Sequence, residues 1–305
     1  MKRFLLIVTV CSMFVLSSCT VTHKKVLLDD VNFKNGFEVF DLSNTNTNSI
    51  GTYTYGAATG DPRWQIGQWW SGHNILEGTK EDLGNGVYKI FDQTKSITVD
   101  TTDGTVTSAI KVDEYSGGNW PHLLISQDLG CEYVDTDKNL LEKYRLSSMS
   151  TLEFKGKFEL NKSEVLSGVS QYLIFLNIQN LNRDSQDFGK LFHFGLQIYD
   201  SRYPQDYTPY YEAQDFAMVN GNYIYSLSNR EFFKQPFKIN GGDYYINKDF
   251  LPNIKKAFER AQKKGFLTNS TYEDMFLGSI TTGWETPGTG ECEIQSTGFG
   301  IYSTK

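Results

Sequence analysis

Two acids at close spacing open the question of chemistry. Glu291 and Glu293 stand at i and i+2 in a run with strand character, so their side chains share one face about 7 Å apart. Carboxylates about 5 to 9 Å apart, one of them held protonated, are what glycosidic bond cleavage requires. The same spacing is also common solvated decoration on an exposed strand. His193, Gln197, Tyr199 and Arg202 form a second group. An amide or guanidinium that neutralises a uronate, beside an imidazole or phenol that moves a proton, is the set a polysaccharide lyase uses, so His193 joins Glu291 and Glu293 as a catalytic candidate.

The third group is aromatic. Trp64, Trp69, Trp70, Trp120 and Trp284 lie beside Pro, Gly, Gln, Asn or Ser, in contexts where an indole can stack on the apolar face of a sugar while its N–H meets a polar partner. With Gln68, His122, His193, Gln197, Arg202 and Glu285 they make a candidate binding set, although any one Trp is more often a core residue of a sandwich. No Gly-x-Ser-x-Gly elbow, phosphate loop or dinucleotide fingerprint is present. His23, His73, His122 and His193 have no metal-ligand spacing with the cysteines, so neither a metal nor another cofactor is expected.

The elements that must position these groups read as strands. Aromatic residues make up 14% of the chain, with 27 glycines and few helix-forming runs, which points to an all-β sandwich. Phe37 to Phe40, Val87 to Phe91, Ser96 to Val99, Val106 to Val112 and Glu291 to Tyr302 are strand candidates separated by turn residues. In Thr151 to Leu160, Leu152, Phe154, Phe158 and Leu160 oppose Glu153, Lys155, Lys157 and Glu159, which predicts one wet face. Gln171 to Asn180 and Lys190 to Asp200 alternate differently, setting amides, His193 and rings against an apolar face. As neighbours they would build a half-polar surface. Residues 41–60 read as a long loop, and Tyr203 to Tyr225 as another, heavily aromatic one. One peripheral helix is expected over 249–264, with Asp249 as N-cap and Gly265 at its end.

The chain opens with Met1-Lys-Arg3, an apolar run to Val15, and Leu16-Ser-Ser-Cys19. The run is shorter than the roughly 20 residues of a membrane span, so it reads as a signal peptide. Leu16-Ser-Ser-Cys19 resembles the lipobox of bacterial lipoproteins, which implies acylation of Cys19 and a membrane partner reached through lipid. The expected organisation is a signal over 1–18, a lipidated Cys19 and tether over 19–33, and one sandwich domain over 34–305. The net charge of −7 becomes −9 once Lys2 and Arg3 leave, which argues against nucleic acid as a partner. Cys131 and Cys292 are then the only cysteines of the folded part, equally readable as a disulfide or as two buried thiols.

Pro62-Arg-Trp-Gln-Ile-Gly-Gln-Trp69, Glu114-Tyr115, Trp120-Pro-His-Leu-Leu-Ile125, Tyr199-Asp-Ser-Arg-Tyr203 and Gly283-Trp-Glu-Thr-Pro-Gly288 together resemble bacterial cell-surface lipoproteins with a concanavalin-like jelly roll, the lectin and glucanase architecture. The resemblance spans about residues 35–302. It implies that fold, a place in the cell envelope at the outer membrane or cell surface, and a glycan context; it transfers no catalytic residue. The acid pattern i, i+2, i+5 of laminarinase-type strands is broken because Ser296 holds the third position. The expectation is therefore a lipid-anchored protein that binds carbohydrate. A glycoside hydrolase or lyase on the same fold, or a structural or adhesive surface protein, are the alternatives.

Overall fold

Alternating apolar residues become strands almost wherever the sequence shows them. The structure is a computed structural model that describes residues 24–43, 48–56, 58–114, 117–215 and 221–305; the signal segment and Cys19 lie outside the described residues. In chain order the strands are β1 (Lys25–Val26), β2 (Phe37–Phe40), β3 (Ser49–Tyr53), β4 (Trp64–Gly67), β5 (Thr79–Gly84), β6 (Val87–Phe91), β7 (Lys95–Asp100), β8 (Thr105–Val112), β9 (His122–Asp128), β10 (Thr151–Gly168), β11 (Gln171–Asn180), β12 (Leu191–Asp200), β13 (Tyr211–Asp215), β14 (Asn222–Leu227), β15 (Tyr244–Asp249), β16 (Met275–Glu285) and β17 (Gly288–Thr304).

Two sheets form. One is eight-stranded, ordered β15-β10-β17-β8-β7-β6-β5 with β1 beside β17; the other is nine-stranded, ordered β13-β14-β12-β11-β16-β9-β4-β2-β3. The chain passes between sheets from β8 to β9, from β9 to β10, from β10 to β11 and from β16 to β17, so the fold is a two-sheet jelly-roll sandwich. Phe154, Phe158, Ile294, Ile97 and Ile110 from the first sheet meet Ile174, Leu176, Phe192, Phe194, Ile280 and Trp284 from the second in one buried cluster. Burial of these side chains is the main favourable term holding the sheets together.

The helix runs Leu251–Lys263 and buries Ile254, Ala257, Phe258 and Ala261. Asp249 does not occupy the N-cap position, which falls on Phe250. Its Oδ1 instead accepts from the Leu251 and Leu152 N–H groups at 3.0 and 2.8 Å, tying the helix start to β10. At the other end Gly265 has φ 89, and Phe266 N–H bonds the Ala261 carbonyl while Gly265 N–H bonds that of Gln262, each at 3.0 Å. That is a Schellman ending.

Three sequence expectations change. Residues 24–33 belong to the sandwich rather than to a tether: Leu27, Leu28 and Phe33 are buried, and the Tyr144 hydroxyl donates to the Leu27 carbonyl at 3.2 Å. Gln127 also brackets Asp29, accepting from its N–H and donating to its C=O at 2.8 Å each. Apolar residues there gain more from burial than a solvated linker would allow. The aromatic loop after Tyr203 contains β13 and β14, the latter pairing parallel to β12. The first long loop likewise contains β3, paired to β2. Cys131 and Cys292 are unlinked.

Candidate functional site

Strand parity sorts the nine-stranded sheet into an inner and an outer face. On β16, Ile280, Thr282 and Trp284 point into the core, so Ser279, Thr281, Gly283 and Glu285 point outward. Registers then align outward residues in rows across the strands. One row is His122, Glu285, Gln171 and Asp200. The next is Gly67, Leu124, Gly283, Leu173 and Gln197. Beyond it lie Ser126, Thr281, Phe175, Gly195, Ser226 and Tyr211, and then Asp128, Ser279, Asn177 and His193.

The second row is a low floor between polar walls. At Gly283 a Cβ would stand 2.1 Å from the Leu123 carbonyl oxygen, so no side chain can rise there. At Gly67 the vacated space is taken by the Trp69 ring, which a Cβ would meet at 3.4 Å. Trp69 and Trp70 both flank His122, with ring centroids 5.8 and 5.3 Å away. Trp120 stands at the same end of the sheet and is 42% exposed; its neighbour Pro121 accepts from the Thr286 N–H at 2.9 Å.

Glu285 sits at the centre of the polar wall. Gln171 Nε2 donates to its Oε2 at 2.9 Å, and His122 Nε2 lies 3.6 Å from its Oε1. The Tyr211 hydroxyl is pushed up to about 12, first by burial and then by the negative charge of Glu285. Asp200, fully buried, is gripped by Arg202, whose Nε and Nη2 donate to Oδ1 and Oδ2 at 2.9 and 2.6 Å, while Gln197 Nε2 donates to Oδ2 at 2.9 Å. Fork geometry of this kind is the strong form of an ion pair. Four buried polar atoms on this face make no hydrogen bond among the described residues: Trp69 Nε1, His122 Nδ1, Gln197 Oε1 and Ser226 Oγ. Unmet buried polar groups cost about 1–3 kcal/mol each.

The structure thus brings Trp69, His122, Gln197, Arg202 and Glu285 together and sets Trp120 at their rim. It places the others elsewhere. Trp64 and Trp284 are core residues with no exposed surface, their Nε1 atoms donating to the Asp30 and Ser108 carbonyls at 2.9 and 3.0 Å. Gln68 is buried and ties Phe40, Asn74 and Ile75 together. His193 lies on the same outer face two rows beyond the floor. Its Nδ1 is 2.7 Å from Asn177 Oδ1, and because Asn177 Nδ2 donates to Ser279 Oγ, the Asn oxygen faces the imidazole.

Glu291 and Glu293 occupy the outer face of the other sheet. They are engaged by Lys162 Nζ at 2.7 Å and Asn161 Nδ2 at 2.8 Å, while Cys292 and Ile294 of the same strand face the core. The two acids are therefore on the opposite side of the sandwich from Glu285. Sequence reasoning missed Gln171, Asp200, Tyr211 and the placement of Trp70. Parity was the available signal: Trp64 shares a face with Ile66, and Glu285 shares one with Thr281 and Gly283.

No family profile matches the chain, and no curated protein matches it in sequence. Among solved structures it is similar to the endoglucanase Cel12A of Rhodothermus marinus, with 14% identity, 79% of this chain and 99% of that one covered, and a TM-score of 0.44. It is similar to a family 12 xyloglucanase from Bacillus licheniformis (12%, 75% and 97% covered, TM-score 0.42). It is also similar to the family 11 xylanase of Neocallimastix patriciarum (13%, 74% and 95% covered, TM-score 0.38). These neighbours are glycoside hydrolases, and at such identity the likeness is one of fold alone.

Proposed function

We propose that this protein binds carbohydrate along the outer face of the nine-stranded sheet. The observation that carries the reading is the row His122, Glu285, Gln171 and Asp200 standing beside a floor of Gly67, Leu124, Gly283 and Leu173. The floor itself is buried, and the partly exposed rings of Trp70 and Trp120 supply apolar faces beside these acceptors and donors; specificity comes from a few fixed polar groups on an apolar ground. Hydrolysis at Glu285 would call for a second acid within about 5 to 9.5 Å that is free to react. Asp200, the acid in the same row, has both oxygens committed to Arg202 and Gln197, which supports binding without turnover. A glycan array probed with the purified protein is the test, with product analysis on every hit. Silence across the array sinks the proposal, and released reducing ends would turn it into an enzyme.

The proposal includes a place: the bacterial cell envelope, at the outer membrane or cell surface, with a lipid on Cys19. Its support is Leu16-Ser-Ser-Cys19 and the docking of Lys25–Val26 against β17 at Ser303 and Tyr302. β17 begins at Gly288, just after Glu285, so its length of roughly 53 Å separates the site from the end of the sandwich where Lys25–Val26 docks. Metabolic labelling with a fatty acid should mark the wild type and not Cys19→Ser.

A further inference from the structure

Three bulky residues have left-handed backbone: Phe33 (φ 55), Leu267 (φ 51) and Trp70 (φ 56). Such a conformation is strained for any residue with a large side chain, and it persists only where something else holds it. For Phe33 and Leu267 the compensation is complete burial: each is 3% exposed, and Phe33 lies 4.6 Å from the Trp64 ring. Trp70 has no such compensation. It occupies the third position of the turn closed by Ser71 N–H to the Gln68 carbonyl at 3.3 Å, a position that favours Gly or Asn when φ is positive. Its ring remains partly exposed and is tilted 43° against His122. The chain therefore holds an indole, in strained backbone, at the mouth of the face that carries Glu285.

Beneath that ring are two groups suited to a sugar hydroxyl. His122 is 8% exposed, its Nδ1 has no partner, and its Nε2 points toward Glu285 Oε1. Nδ1 is covered, but with the proton on Nε2 a sugar hydroxyl at the rim accepts from Nε2–H and donates to Glu285 Oε1, whose side chain is 16% exposed. We infer that Trp70, His122 and Glu285 form a subsite for one neutral pyranose ring, stacked on the face of Trp70 turned away from His122 and hydrogen-bonded past the indole edge to His122 Nε2 and Glu285. This inference rests on the carbohydrate reading above and adds to it the ring that decides affinity.

The test compares wild type, Trp70→Gly and Trp70→Ala as full chains. Neutral tetrasaccharides of glucose, xylose and mannose are titrated calorimetrically, and each protein is melted thermally. Wild type should bind at least one of them, and both variants should lose at least tenfold in affinity. Trp70→Gly should melt within about 2 °C of wild type and above Trp70→Ala, because glycine accepts the left-handed backbone that alanine does not. Undiminished binding by both variants overturns the subsite and leaves the carbohydrate reading standing. A large drop in the Trp70→Gly melting temperature, of the size a core Trp would give, shows the ring to be structural and also overturns it. A wild type that binds none of the three yet binds an acidic glycan on the array overturns the neutral subsite, whereas a silent array overturns both proposals.

Discussion

The outer faces of the two sheets follow one alternation rule and reach different chemistry. On the eight-stranded sheet, outward residues of β10 and β17 are charged and solvated: Lys24 meets Glu153 at 2.6 Å and Lys162 meets Glu291 at 2.7 Å, with side chains largely wet. Exposed pairs of this kind stabilise little. On the nine-stranded sheet, outward residues are amides, an imidazole, rings and glycines, and several are buried although they point away from the core. Gln197 and Asp200 have no exposed surface, and Arg202 and Gln197 both donate to the Asp200 carboxylate. Polar groups buried outside the core are what separate the surroundings of Glu285 from those of Glu291 and Glu293.

The comparison can be broken most severely from inside. Trp284, the residue before Glu285, faces inward and donates to the Ser108 carbonyl on β8 across the sandwich. Trp284→Ala should cost about 3–5 kcal/mol, a fall of roughly 10 °C in a thermal melt; a melting temperature unchanged from wild type would show that the two sheets do not depend on this bolt. One residue further, Glu285→Gln should lower glycan affinity at least tenfold in calorimetry while the melting temperature moves by less than about 2 °C. If affinity holds, the outer row is not the site.

An acid titration sharpens the contrast at its edge. Glu212, on β13 next to Tyr211, is desolvated by burial, yet hydrogen bonds from Tyr210 and Arg260, with the Arg260 charge, hold it down at about 2. A carboxylate whose folded pKa lies below its ordinary 4.5 contributes stability above that value and loses it as pH falls toward about 2. Fluorescence of the aromatic edge should therefore change between about pH 4.5 and 2, and Arg260→Gln should move that transition to higher pH. A transition that stays in place would remove Arg260 from the account. The smallest effect belongs to the wet sheet: Glu291→Gln and Glu293→Gln should leave glycan affinity unchanged and the melting temperature within about 2 °C of wild type. A binding defect there would overturn the distinction between the faces.

Much of the fold was legible. Val87 to Phe91 and Gln171 to Asn180 form strands at the limits their alternation suggested, and Gly265 ends the helix as expected. The site was legible in part. Of the candidate residues, His122, Gln197 and Glu285 lie on one outer sheet face, whereas Trp64 and Trp284, chosen because indoles can stack on sugars, are core. Residue type says what a side chain can do, and only parity and pairing say which face it does it on.

Sequence by itself determined the class of structure, a mostly β sandwich with a long helix over Leu251–Lys263, because period-2 burial and glycine turns are local properties of the chain; the short helices Gly130–Tyr133 and Lys138–Leu141 were not foreseen. It also set the residue types available for chemistry. Tertiary structure decided everything about the site that depends on distant partners: that Asp200 is spoken for by Arg202 and Gln197, that Gln171 stands between Asp200 and Glu285, and that Tyr211 arrives from an edge strand hidden in an apparent loop. It also showed Trp70 held in backbone that glycine would prefer. These relations join strands far apart in the chain, and strand register, which no local pattern states, is what makes them neighbours.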